Sequence, residues 1–169
     1  MTLNYCTHPT PLGELLLVTR NGALVNVGLP GQNIELLNRQ AGHTQQADKP
    51  RETRSHINDH LGAITQQLDE YFRGQRTTFD MKTDLGEATD FRRAVLEHLV
   101  TIPYGETRTY TQVAEAVGRP RAVRAVGSAC ATNPVPIVIP CHRVLRSDGS
   151  LGGYAGGLDM KRTLLELEQ

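Results

Sequence analysis

The chain lacks an excess of either charge. Its 169 residues carry 18 basic and 18 acidic side chains, for a formal net charge of zero. That excludes an acidic or basic tail and a polybasic disordered arm. Any nucleic-acid-binding surface must be a local patch. The chain also lacks an apolar run near the roughly 20 residues that a membrane helix needs. Met1 to Thr10 has no charged start followed by an apolar stretch, so no secretory signal is expected. Cysteine is scarce. Cys6, Cys130 and Cys141 are odd in number and widely spaced, a poor disulfide framework. They read as reduced thiols of a cytoplasmic protein. No Cys-x-x-Cys pair occurs and the six histidines are scattered, so no metal is expected. What remains is the composition of a soluble globular chain, long enough for one domain or two small ones.

The first half reads as a small sheet with helices. Leu12 to Val18 and Ala23 to Leu29 are short apolar runs flanking Arg20-Asn21-Gly22, and Asn-Gly between two such runs is a hairpin signal. A short helix is expected around Ile34, Leu36 and Leu37 within a polar, loop-like stretch. Ile57, Leu61, Ile64, Leu68 and Tyr71-Phe72 recur at spacings of three and four, an amphipathic helix ended by Gly74. Thr77 to Lys82 reads as another strand and Thr83 to Thr89 as a linker.

The second half is helical. Thr89 is placed to cap a helix with Phe91, Val95, Leu99 and Ile102 on one face, stopped by Pro103. Thr111 to Val117 and Arg121 to Ala131 read as two short helices around a Gly118-Arg119-Pro120 turn. This is the helix-turn-helix pattern, which plain helical hairpins also match. Leu158 to Glu168 is the last helix, with Leu164, Leu165 and Leu167 turned to the core. Between these lies Asn133-Pro134-Val135-Pro136-Ile137-Val138-Ile139-Pro140, whose prolines exclude a helix interior or central strand. It is expected to be a rigid, extended, buried segment that delivers Cys141-His142-Arg143-Val144 to a fixed place.

Chemistry concentrates there. A thiol reacts as the thiolate, and a neighbouring base or positive charge favours that form. In a regular strand Cys141 and His142 point to opposite faces, so either the chain turns at this point or a water bridges them. The bland alternative is an inert buried Cys beside a surface His. Downstream, four glycines surround Tyr154, with no Gly-Lys-Ser/Thr to make a phosphate-binding loop. The segment is either a loop closing over a flat ligand with Tyr154 as its lid, or a flexible surface loop. From Arg108 to Arg146 six arginines accompany one acid, Glu115, a local charge of +5. Around two short helices, that favours phosphate contacts over a merely solvated face.

At Pro140-Cys141-His142-Arg143-Val144 the sequence resembles the O6-alkylguanine-DNA alkyltransferase family, the methylated-DNA–protein-cysteine methyltransferases. The likeness extends to Ile102-Pro103-Tyr104-Gly105-Glu106-Thr107, the Tyr110 region, Arg124-Ala125-Val126-Gly127 and Asn133-Pro134. It includes Gly153-Tyr154-Ala155-Gly156-Gly157-Leu158 and Leu164-Leu165-Glu166-Leu167-Glu168, all in the family's order. It covers residues 89 to 169 strongly. Pro11-Leu12-Gly13 and Tyr71-Phe72-Arg73-Gly74 carry it weakly through the first half. As a set these motifs are highly specific.

The resemblance implies a stoichiometric DNA repair protein without cofactor, in which Cys141 takes the alkyl group from O6 of guanine and keeps it. His142 would take the thiol proton through water, and Glu168, rather than Glu166, would orient His142. Tyr110 would donate its hydroxyl to the leaving base or its phosphate side. Asn133 would tie the segment before the nucleophile by side-chain-to-backbone bonds. Tyr154 would line the base pocket, with Val144 and Ala155 contributing backbone groups and Cys130 a wall. The target base must be flipped from the duplex. Arg124 would fill its place, with Ala125 and Gly127 letting the helix approach the minor groove and Arg121 and Arg143 assisting on DNA. The sequence departs from the family in Leu96, where Trp is frequent, in Val123 before Arg124, and in Cys130. Cys6 lacks the partners of the zinc-binding members.

The expected fold is a ribonuclease H-like α/β domain with a small antiparallel sheet (residues 1 to 83), then a mainly α domain with a winged-helix-like helix-turn-helix (residues 84 to 169). The protein is expected to act as a monomer on double-stranded DNA. Rival readings are a non-catalytic binder of alkylated bases, a transcriptional regulator and a cysteine hydrolase. The retained Cys141, the short chain and the adjacent Cys-His geometry respectively weigh against them.

Overall fold

A computed structural model describes residues 3–32 and 59–169. The chain forms two compact units, Met1–Gly86 and Glu87–Gln169. No described helix is long and apolar enough to cross a membrane.

In the first unit, strands β1 (Leu3–Thr10), β2 (Gly13–Arg20) and β3 (Ala23–Gly28) form an antiparallel meander in chain order. The β2–β3 hairpin is the one expected. Asn21 and Gly22 both take positive φ, 49° and 83°. That is the backbone demanded by a two-residue turn matching the twist of the strands. Along β2 the side chains alternate, burying Leu15, Leu17 and Thr19 completely. Strand β1, built from a polar sequence, was not expected. It pairs with β2 along its whole length, from Leu3 opposite Arg20 to Thr10 opposite Gly13.

Helix α1 (Asp59–Phe72) buries Leu61, Ile64, Leu68 and Tyr71 at the anticipated three- and four-residue spacing. Gly74, at φ 72°, ends it. The His8 ring nitrogen Nε2 lies 2.7 Å from Asp69 Oδ1, joining β1 to α1. Residues 77–82 do not form the expected strand. The Gln67 side chain takes the backbone of Asp80, accepting from its N–H at 2.8 Å and donating to its carbonyl at 2.9 Å. Those groups are thereby lost to a ladder, and only Thr83 bridges to Leu24. The helix expected near Ile34–Leu37 lies outside the described residues, as does Ile57.

In the second unit, α2 (Asp90–Val100) starts at Thr89, whose hydroxyl accepts from the Arg92 N–H at 3.2 Å. It buries Val95, Leu96 and Leu99. Strand β4 (Arg108–Thr109) leads into α3 (Tyr110–Ala116). There Thr109 and Gln112 exchange reciprocal side-chain bonds at 3.1 and 2.8 Å. Gly118, at φ 75°, turns the chain. Helix α4 (Val123–Ala131) follows, two residues later than expected. Arg119 to Ala122 instead form a turn, closed by the Ala122 N–H on the Arg119 carbonyl at 2.9 Å. The small α4 buries Val126, Ala129 and Cys130, and exposes Arg124 and Ala125.

The proline-rich segment is buried as expected but is not extended. The Ile139 N–H reaches back to the Val135 carbonyl at 2.9 Å, and Ile137 sits at φ 75°. The segment is a tight buried turn. A 3₁₀ turn, Cys141–Arg143, follows it. Then β5 (Val144–Leu145) pairs in parallel with β4. Helix α5 (Leu158–Leu167) closes the unit. It buries Leu164 fully, leaves Leu165 and Leu167 half-buried, and buries Lys161 in their stead.

Candidate active site

Cys141 sits where three sequence devices converge. The buried proline turn fixes its approach, the 3₁₀ turn sets its direction, and α5 closes behind it. Asn133 staples the proline turn, donating from Nδ2 to the Ile139 carbonyl at 2.8 Å and accepting the Val135 N–H at 3.0 Å. The Cys141 N–H bonds the Ile139 carbonyl at 2.8 Å. The chain therefore does turn at Cys141-His142, and the strand geometry that would have separated them is absent.

His142 is completely buried rather than a surface residue. Its Nε2 lies 2.9 Å from Glu168 Oε1. A carboxylate only accepts, so Nε2 carries the hydrogen and Nδ1 the lone pair. Nδ1 is buried and has no hydrogen-bond partner among the described residues. Burial holds the imidazole below its ordinary pKa, against the upward pull of Glu168. It is therefore neutral at neutral pH, with Nδ1 open to a proton. Glu168, at the end of α5, is 4% exposed and Glu166 is exposed, which distinguishes the two acids.

Arg143 departs from expectation. It is buried, donating to both oxygens of Glu168 at 2.9 and 2.8 Å and to the Ile102 carbonyl at 2.6 Å. Its guanidinium lies 5.9 Å from the Tyr104 ring centre. All of this turns it away from solvent, and the DNA contact expected of Arg143 is withdrawn.

Burial also pushes the Cys141 thiol up, while a hydrogen bond from the Asn133 side chain and the Lys161 ammonium pull it down. Lys161 was missed by sequence reading. Its side chain is fully buried, donating to the carbonyls of Val144 at 2.7 Å, Gly153 at 3.3 Å and Leu151. The one available signal was its position on α5, three residues before Leu164 and seven before Glu168, on the buried stripe.

Cys141 opens onto a cavity of about 550 Å³. Tyr110, Cys130, Tyr154 and Ala155 line it, with Arg124, Gly127 and Val123 from α4, Arg146 just after β5, and Gly152 and Gly153 from the glycine-rich loop. Val144 does not line it; its side chain is buried behind and its carbonyl engages Lys161. Arg146 is exposed at the rim, a second residue that sequence reading did not place in the site. Burial drives the Tyr110 phenol up to about 12 and keeps it a proton donor at neutral pH. Tyr154 is pushed well up for the same reason, and its hydroxyl is buried without a hydrogen-bond partner among the described residues. Arg121 and Ala125 are exposed but lie outside the cavity lining. No cluster of three or more potential metal ligands occurs among the described residues.

Two family models cover nearly the whole chain. Residues 90–169 match the DNA-binding domain of 6-O-methylguanine DNA methyltransferase, and residues 3–85 match its ribonuclease-like domain. A methylated-DNA–protein-cysteine methyltransferase of Mycolicibacterium paratuberculosis is 43% identical over 167 residues, covering 99% of this chain and 93% of the relative. A namesake from Methanosarcina barkeri is 55% identical over 103 residues, 61% of this chain and 65% of its own. Among solved structures, Mycobacterium tuberculosis OGT in complex with DNA superposes with a TM-score of 0.79 at 39% identity, covering 97% of this chain and 91% of that one. By its motifs, its buried site and these matches, the chain belongs to the 6-O-methylguanine DNA methyltransferase family.

Proposed function

We propose that the protein repairs DNA by transferring the alkyl group of O6-alkylguanine to its own Cys141, once per molecule. The observation that carries the reading is the Cys141-His142-Glu168 cluster, buried yet opening onto a cavity of about 550 Å³ beneath an arginine-bearing helix. That volume falls in the range of small-ligand sites, roughly 300–1,000 Å³.

The chemistry follows from the geometry. His142 Nδ1 is the acceptor for the Cys141 proton, directly or through one water, and Glu168 stabilises the imidazolium that forms. The sulphur attacks the alkyl carbon, the S–C bond forms and the C–O6 bond breaks. The departing guanine gains negative charge, which a proton from Tyr110 relieves. The thioether on Cys141 has no leaving route, so one chain performs one transfer. Burial of Cys141 raises the cost of a resting thiolate, which supports proton transfer on substrate arrival.

The DNA contacts are inferred from exposure and charge. Helices α3 and α4 with the Gly118 turn act as a winged-helix-like helix-turn-helix. Ala125 and Gly127 allow close approach to the minor groove, and exposed Arg121 supplies phosphate contact. O6 is out of reach in a stacked duplex, so the base flips into the cavity and Arg124, at its rim, takes the vacated place. Tyr154 and Ala155 hold the base. The three free cysteines fit a reducing, cytoplasmic compartment, and the protein acts as a monomer.

The test is incubation with a duplex containing one O6-methylguanine, followed by mass analysis of the Cys141 peptide. One methyl group per chain is expected, and none in Cys141→Ala, which still binds the duplex. Binding of stoichiometric lesion without mass gain would replace this reading by that of a non-catalytic lesion binder.

A further inference from the structure

The transfer uses one sulphur of the cavity and leaves another without a chemical role. Cys130, near the end of α4, is 8% exposed and Cys141 is 5% exposed. Both are free thiols and both line the same cavity. Asn133 ties both residues to one turn. Its backbone N–H donates to the Cys130 carbonyl at 3.3 Å, and its Nδ2 donates at 2.8 Å to the Ile139 carbonyl, which also accepts the Cys141 N–H at 2.8 Å.

We propose that Cys130 and Cys141 form a dithiol couple that closes to a disulfide under peroxide, holding the single-use nucleophile in a recoverable state. The Cys141 thiolate attacks one peroxide oxygen. The S–O bond forms, the O–O bond breaks, and the departing hydroxide leaves as water with the proton the thiol gave up. Cys130 then surrenders its proton, and its sulphur displaces the hydroxyl of the sulfenic acid, which departs as a second water. Two thiols and one peroxide thus give one disulfide and two waters. The sulphurs lose two electrons and the peroxide gains them.

The two sulphurs are unequal in the way this requires. Burial raises both thiols and Lys161 pulls both down, but Cys141 stands next to His142, whose buried Nδ1 has no partner among the described residues and can take a proton. Cys141 is therefore the sulphur that meets the peroxide first, and Cys130 the one that follows. Cys130 resolves the sulfenic acid, which otherwise advances to the irreversible sulfinic acid.

The experiment treats the reduced full chain with hydrogen peroxide, blocks free thiols and maps the protein by mass. Cys130 and Cys141 share one tryptic peptide, residues 125–143. The expected product is that peptide two hydrogens lighter, taking no blocking label until dithiothreitol is added. Alkyl-transfer capacity should fall as the product accumulates and return on reduction. Cys130→Ser, scored against its own untreated capacity, should accumulate sulfinic Cys141 and recover only a minor fraction. Sulfinic Cys141 without the internal bond in the wild type, a bond to Cys6 instead, or full recovery of Cys130→Ser would each overturn the proposal. The capacity arm rests on the alkyl-transfer reading, but the bond is read by mass alone. A chain that forms the bond and transfers no alkyl group refutes that reading and leaves this one standing.

Discussion

Arg143 grips both carboxylate oxygens of Glu168, Nε to Oε2 at 2.9 Å and Nη2 to Oε1 at 2.8 Å, while Oε1 also receives His142. One buried acid thus answers two cations or near-cations. The bidentate geometry fixes the carboxylate plane, and the plane fixes the imidazole. Arg143 is held against Glu168 and away from solvent.

That placement separates Arg143 from the surface arginines. Arg143→Ala leaves Glu168 short of its buried counter-charge and should cost about 3–5 kcal/mol of stability. Arg124→Ala, on an exposed residue, should leave urea unfolding within about 0.5 kcal/mol of the parent. It should weaken binding to undamaged duplex and reduce the salt slope by about 1 if it contacts a phosphate. Equal unfolding midpoints for the two variants would contradict the buried pair.

His142 makes stability depend on pH with a definite sign. Its folded pKa lies below the ordinary 6.5, so in acid the unfolded chain takes up this proton first. Stability from this group is complete above 6.5 and is lost as pH falls below it, down to the folded pKa. In an NMR titration the His142 ring resonances should stay those of the neutral form through pH 6.5 and move only at lower pH. A midpoint above 6.5 would contradict burial as the dominant influence.

Lys161 ties the glycine-rich loop to β5 through the carbonyls of Val144, Leu151 and Gly153. Lys161→Met keeps much of the stem's volume and removes the ammonium. The buried Val144 carbonyl left without a donor costs about 1–3 kcal/mol. The variant should unfold at lower urea by about that amount and show faster hydrogen exchange at residues 151–153. Its alkyl transfer should also slow, because the positive charge that lowers the Cys141 thiol is gone. Unchanged exchange in the loop would show that the ammonium does not hold it.

Local pattern was legible where one physical rule acted alone. Asn21-Gly22 can take the two positive φ values that a short hairpin needs, and Leu61, Ile64, Leu68 and Tyr71 follow helical spacing, so both elements could be read directly. Elements made by partners could not. Strand β1 exists because β2 offers a full edge, and residues 77–82 fail as a strand because Gln67, on another element, takes the Asp80 backbone. The site divides the same way. Cys141, His142 and Glu168 carry the family likeness in sequence, but the burial of Arg143 and Lys161 comes from tertiary neighbours. Long cations are ordinarily exposed, so sequence alone sends both to the surface.

Gly152, packed against the Tyr110 ring, tests the placement of that phenol. It sits at φ 71°, and a Cβ there would lie 2.9 Å from the Tyr110 hydroxyl and 3.1 Å from its ring. Gly152→Ala therefore carries a backbone cost of about 1–2 kcal/mol and pushes the phenol off its position. The loss should resemble removal of the proton donor. Tyr110→Phe should slow transfer by about 10²-fold, at the low end of acid–base contributions. Gly152→Ala should fall between it and the parent, with Cys141 still reactive toward a small thiol reagent. In the double variant the two effects should not add, since the Tyr110→Phe substitution has already removed the hydroxyl that the new methyl would displace. Fully additive losses would mean that Gly152 serves the loop alone and that the phenol is not what its missing side chain makes room for.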